Sequence, residues 1–140
     1  MDECVLDTSV AIKWYSSFGE ADLANALLIR SRFLEGKIRL VVPELFFYEF
    51  ANAMRYNRNF SCGEVEEFIT GLFEMGLEVE RMTPELVNAA ISFAYVNGLS
   101  VYDSCFIALA IKRGCSFITA DKKCCDMTTQ VPQVKYLGAL

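Results

Sequence analysis

Short apolar runs alternate along this chain with longer segments in which apolar residues return every three or four positions. The stretch 3–6 is apolar and stops at Asp7, and Thr8-Ser9 leads into Val10-Ala11-Ile12-Lys13-Trp14, which predicts a buried strand running straight into a helix. A second helix is expected over about 22–34, with Gly36 as its stop. Residues 38–42 are a compact β-prone run. Pro43 then suits the first turn of a helix carrying Glu44 through Tyr56. Ser61-Cys62-Gly63-Glu64 is a capping-box pattern opening a helix to about Met75.

The same alternation continues to the end of the sequence. Residues 77–80 predict a short strand, and Thr83-Pro84 starts a helix that closes at Asn97-Gly98. Ser100-Val101-Tyr102-Asp103 opens another, stopping at Gly114. Residues 116–119 are β-prone, Asp121 begins a short polar helix, and 134–137 predict a last strand. The connections are too long for hairpins. The expectation is a single α/β domain over residues 1–140, with a mainly parallel sheet covered by helices on both faces.

Composition narrows the chemistry. There is no histidine, which removes Ser-His-Asp and Cys-His catalysis and any imidazole ligand. The six cysteines form no C-x-x-C pair, so a structural zinc site has little support, and they read as small core residues. No run of about 18 uninterrupted apolar residues is present, so no membrane span is expected. Met1-Asp2-Glu3 is acidic where a signal peptide carries positive charge, and a cytoplasmic protein is the expectation. Net charge is −5, yet seven of the 18 acids fall between Glu64 and Glu85, and the rest of the chain is close to neutral. That acidic region reads as a solvated face.

Four carboxylates stand out. Ligands of open parallel sheets collect beyond the carboxyl ends of the strands, where Asp7 and Asp121 are expected. Either would also serve as a helix N-cap, and Asp103 falls at the third helical position of the Ser100 pattern. Glu49 lies on a segment apolar almost all round, where a carboxylate needs a hydrogen bond, a counter-charge or a metal. A buried Glu–Arg pair would meet that need, and Asn52, one turn on, is a candidate partner. Together, Asp7, Glu49, Asp103 and Asp121 make an oxygen-only set that selects hard divalent cations, Mg²⁺ or Mn²⁺. No Walker A or G-x-G-x-x-G pattern occurs.

Val5-Leu6-Asp7-Thr8-Ser9-Val10, Pro43-Glu44-Leu45-Phe46-Phe47-Tyr48-Glu49-Phe50-Ala51-Asn52-Ala53, the run from Gly98 through Asp103 to Ala110, and Phe117-Ile118-Thr119-Ala120-Asp121-Lys122 resemble the motifs of PIN-domain nucleases. They are most similar to those of VapC-type toxins. The resemblance covers nearly the whole chain, in order. It implies a three-layer α/β/α sandwich and Mg²⁺- or Mn²⁺-dependent endonucleolytic cleavage of RNA. It makes Asp7, Glu49, Asp103 and Asp121 the metal-binding set, with Ser9 and Thr119 as supporting hydroxyls and Asn52 orienting Glu49. Ser9 and Thr119 also suit simple turn and cap hydrogen bonds. A cognate antitoxin and a homodimer are the partners it implies.

Lys122, Arg55, Arg58, Lys112 and Arg113 are candidate phosphate contacts, and Asp126 a candidate auxiliary acid. Lys123-Cys124-Cys125 departs from the family, which usually has Leu after the Asp-Lys pair. Phe46, Phe47, Tyr48, Phe50 and Phe68 suit a protein interface or a core equally. A phospho-acceptor receiver domain would need an acid pair beside its first strand and a Lys ending a later one, which this chain lacks. The alternative reading is a PIN-like binding module, catalytically silent or held inactive by a partner.

Overall fold

The computed structural model describes residues 2–16 and 20–140. The elements run β1 (Asp2–Leu6), α1 (Thr8–Tyr15), α2 (Leu23–Leu34), β2 (Ile38–Pro43), α3 (Leu45–Arg55), α4 (Cys62–Glu74), β3 (Glu78–Glu80), α5 (Pro84–Asn97), α6 (Val101–Arg113), β4 (Ser116–Thr119), α7 (Lys122–Met127) and β5 (Val134–Tyr136), closed by a 3-10 turn at Leu137–Ala139. The sheet order is β3-β2-β1-β4-β5, and every pairing is parallel. Because its faces are covered, the central strands carry unbroken apolar runs: Val5, Leu6, Leu40, Val41, Val42, Phe117 and Ile118 are all buried. Right-handed crossovers leave β1 in one direction and approach β4 from the other, which puts α1–α4 on one face and α5–α7 on the opposite one. The result is the expected α/β/α sandwich.

Local chemistry sets the helix ends. Ser61 and Glu64 form both halves of a capping box, Thr83 caps α5 ahead of Pro84, and Ser100 caps α6. Gly98 and Gly114 end α5 and α6 at φ +67° and +65°, values a side chain resists. No single helix among the described residues is long and apolar enough to cross a membrane.

Two expectations change here. Pro43 is the last residue of β2, in register with Glu80, and not the start of a helix. The Glu44 amide bonds to the Glu80 carbonyl at 3.2 Å, so the neighbouring residue's nitrogen points toward β1. The β1–β2 register ends at Val5 and Val41, and no ladder bond is lost there. In α3, Phe46, Phe47 and Phe50 are core residues, while Tyr48 is exposed and Phe68 of α4 is half-buried against Tyr15.

Candidate active site

The sheet order reverses between β1 and β4, and the crevice beyond their carboxyl ends is the natural ligand position of such a fold. Asp7 follows β1 there. It occupies the N-cap position of α1 in extended conformation, but its side chain makes no cap bond. Its Oδ2 instead accepts hydrogen bonds from Ser9 Oγ at 2.7 Å and Thr119 Oγ1 at 2.6 Å. The donors are assigned by their other bonds. The Ala120 amide donates to Ser9 Oγ (2.9 Å) and the Asp121 amide to Thr119 Oγ1 (3.0 Å), so each hydroxyl has its single proton free for Asp7. The 3.4 Å approach of Ser9 to Thr119 is therefore proximity alone. Both hydroxyls clamp one carboxylate oxygen and tie it to the β4–α7 turn.

Glu49 is reached from α1. Thr8 Oγ1 donates to Glu49 Oε1 at 3.1 Å, while Asn52 is exposed and makes no hydrogen bond among the described residues. The expected Asn52 partnership is thus replaced by Thr8. Asn52 follows Glu49 by three positions, on the solvent side of α3, whereas α1 packs directly against that helix. Asp103 lies at the third position of α6, its amide held by Ser100 Oγ at 3.1 Å. Asp121 is exposed and does cap α7, its Oδ1 accepting from the Cys124 amide at 3.2 Å.

Proton affinities are raised at three of the four. Burial pushes Asp7 up, the Ser9 and Thr119 bonds oppose it, and the charge of Asp103 adds to it. Burial likewise raises Glu49 to about 7, against the Thr8 bond and with help from Asp7 and Asp103. Asp103 is raised by burial, lowered by Ser100, and raised again by Asp121. Each of the four therefore lies within electrostatic reach of another. Beneath them, burial and the charges of Asp103, Asp121 and Asp7 push the Cys124 thiol up to about 12, so it stays neutral and fills space. All six cysteines are free.

No lysine or arginine answers these charges: the ion pairs among the described residues lie elsewhere. Lys112 pairs with Glu80, and Arg113 bridges Glu3, Glu78 and Glu80, so neither is free for phosphate and part of the acidic region is paired. Lys122 sits 3.4 Å from Asp126 and over the Tyr136 ring. That pair accounts for Asp126. Arg55 lies over Tyr56, and Arg58 is exposed. A cavity of about 540 Å³ between α5 and α6, lined by Phe93, Val96 and Ile111, contains none of the four acids.

The sequence profile of the PIN domain matches residues 4–129, from β1 through α7. The chain belongs to the PIN-domain family. Comparison with curated protein sequences gave no match. Among solved structures, this PIN domain is similar to the toxin VapC20 of Mycobacterium tuberculosis, described as sarcin–ricin loop cleaving, with a TM-score of 0.67, 17% identity and coverage of 91% of this chain and 94% of that one. A toxin–antitoxin complex from Klebsiella pneumoniae gives 0.69, 13%, 96% and 97%. PAE2754 from Pyrobaculum aerophilum gives 0.68, 15%, 99% and 91%. At these identities the likeness is one of fold.

Proposed function

We propose that this PIN domain is a metal-dependent endoribonuclease whose Asp7, Glu49, Asp103 and Asp121 hold Mg²⁺ or Mn²⁺, and that it is the toxin of a toxin–antitoxin pair. The observation that carries the reading is four acids around the β1/β4 crevice with no basic partner among the described residues. Uncompensated carboxylates must take up protons or a cation, and an all-oxygen donor set fits a hard divalent ion. As they stand, no three acidic or thiol side chains among the described residues converge on one point. Similarity to VapC20 and to a toxin–antitoxin complex supports the toxin role and an antitoxin partner; a homodimer and a cytoplasmic location belong to the same proposal and rest on the sequence reading alone.

The chain's own residues prepare the reaction. Asp7 is preset by Ser9 and Thr119, so little ordering is left for the moment of binding. A bound divalent ion supplies Lewis acidity toward a phosphoryl oxygen and lowers the pKa of water for in-line attack. In the metal-free protein burial raises Glu49 to about 7, and with Oε1 engaged by Thr8 its Oε2 is the oxygen left to take a proton or to hold the ion in its place. Neutralising the acids also lets a polyanion approach. Single-stranded or loop RNA suits the site because its backbone and bases are accessible.

Labelled RNAs incubated with purified protein are expected to be cut in Mg²⁺ or Mn²⁺ and to survive in EDTA. The spread of the acids favours one rival, a silent or partner-held binding module. A folded protein that binds Mn²⁺ yet cuts no RNA would support it, and a protein that binds no divalent ion would sink the four-carboxylate reading. Thr119→Val should weaken Mn²⁺ binding about 10- to 100-fold, because it removes a hydrogen bond that orients a ligand. Thr119→Ser should restore it; equal affinity for all three proteins in a calorimetric titration would remove Thr119 from the site.

A further inference from the structure

A cation stands next to the crevice with no task in the chemistry above. Lys122 follows Asp121, and its Nζ lies 5.2 Å from the centre of the Tyr136 ring. The sheet places that ring. Tyr136 is in register with Thr119, whose hydroxyl donates to Asp7 at 2.6 Å. Partners in register project to the same face: Thr119 reaches Asp7 at the start of α1, and the Tyr136 hydroxyl donates to Asp22, ahead of α2, at 3.4 Å. The ring that carries Lys122 is therefore one strand, about 5 Å, beyond the residue that clamps Asp7. It is also closed in by backbone, since a side chain on Gly138 would meet the ring at 2.5 Å and Asp22 Oδ2 at 2.9 Å.

The ammonium itself is only weakly engaged. Its pair with Asp126 spans 3.4 Å, leaves both side chains about two-thirds exposed, and runs in the less favourable i,i+4 order, cation first. A cation in the first turn of α7 also opposes the dipole of that helix. A backbone phosphate offers a full charge and two free oxygens, enough to draw the ammonium from Asp126. Lys112 and Arg113 are already taken, by Glu80 and by Glu3, Glu78 and Glu80. In a chain of net charge −5, an acidic crevice gives a polyanion little attraction of its own. We propose that Lys122, oriented by the Tyr136 ring, binds the backbone phosphate next to the scissile one and seats the RNA across the β4–β5 end of the crevice. It binds substrate and takes no part in breaking the bond. This rests on the nuclease reading.

The test is steady-state cleavage of one unstructured labelled RNA at fixed Mn²⁺, with KCl varied from about 50 to 200 mM. Lys122→Gln should raise KM about 5- to 30-fold at the low-salt end and keep kcat within about threefold. It should also flatten the rise of log KM with log salt by about 0.7, the share of one phosphate contact on a single strand. Lys122→Arg should restore both. Asp126→Asn, which frees the ammonium, should leave KM unchanged or lower. Tyr136→Leu should raise KM less than Lys122→Gln and keep the wild-type slope, because the charge stays and only its seat is lost. Melting curves of the Lys122 and Asp126 variants should stay within about 2 °C of wild type, since both side chains are on the surface. A pair that merely braces α7 gives another pattern: Lys122→Gln and Asp126→Asn lower the melting temperature alike and neither moves the slope. That pattern, or unchanged KM and slope in Lys122→Gln with Asp7→Asn inert on the same RNA, overturns the proposal and leaves the nuclease reading standing. Wild type inert toward RNA in both metals removes the nuclease reading, and the proposal with it.

Discussion

Asp7→Asn is expected to lower RNA cleavage at least about 10³-fold while leaving the apo protein as stable as before, or more so. The activity loss follows from removing a charged metal ligand, several kcal/mol of charge stabilisation at about 1.4 kcal/mol per tenfold. The stability gain follows from the local structure. Burial and the charge of Asp103 raise the proton affinity of Asp7, so its ionised form opposes folding at neutral pH. An Asn oxygen placed where Oδ2 sits still accepts from Ser9 and Thr119, and the charge is gone. A rise of about 2–5 °C in apo melting temperature is the expected scale for a change near 1 kcal/mol in a chain of this size. The check is a pair of measurements on one preparation: single-turnover cleavage in Mn²⁺ and a melting curve in EDTA. Full activity in the variant would remove Asp7 from the chemistry. A large fall in melting temperature would show that the carboxylate holds the fold together, and a loss of activity would then say nothing about metal.

The contrast between Asp7 and Asp121 shows where sequence reading works and where it stops. Strands, helices and their ends are local, so caps and stops such as Ser61–Glu64, Thr83, Gly98 and Gly114 were legible, and from their alternation so was the parallel sandwich. Capping was open to both aspartates. Only Asp121 caps; Asp7 is turned away by two hydroxyls, one of them 112 residues distant. Thr8 was passed over as the partner of Glu49 for the same reason, because their 41-residue separation leaves no periodic trace, whereas Asn52 lay at an obvious helical spacing. Pro43 misled because its usual helix-start preference is local, while the vacant ladder position that admits it at a strand end depends on where β1 stops. Lys112 and Arg113 looked free in one dimension, and their acidic partners come from β1 and β3.

Melting temperature measured against pH, with and without Mn²⁺, is expected to move in opposite directions between about pH 5 and pH 8. In the apo protein Glu49 is raised from its ordinary 4.5 to about 7, and Asp7 and Asp103 are raised with it. Across that window the native state therefore holds more protons than the unfolded chain, so stability falls as pH rises through it and levels off above the folded pKa. For Glu49 the full shift corresponds to at most about 3 kcal/mol, and less after solvent screening, since the residue is only half-buried. A divalent ion binds the deprotonated acids, so its stabilisation is small near pH 5 and grows as protons leave. At about a thousand times its Kd it adds roughly 4 kcal/mol, enough to reverse the apo slope. Glu80 does not confuse the reading: its hydrogen bond with Lys112 lowers its pKa, so its contribution is lost only in acid below this window. The rise in net negative charge above the pI of about 4.8 has the same sign as the apo trend, which is why a variant is needed. Glu49→Gln keeps an oxygen for Thr8 and removes the titration, so its apo curve should be flatter and its Mn²⁺ response weaker. If its apo curve instead overlays the wild type, global charge and not the crevice sets the slope. A wild-type curve that Mn²⁺ leaves unmoved at pH 8 would mean that these four acids, however close, do not hold a metal.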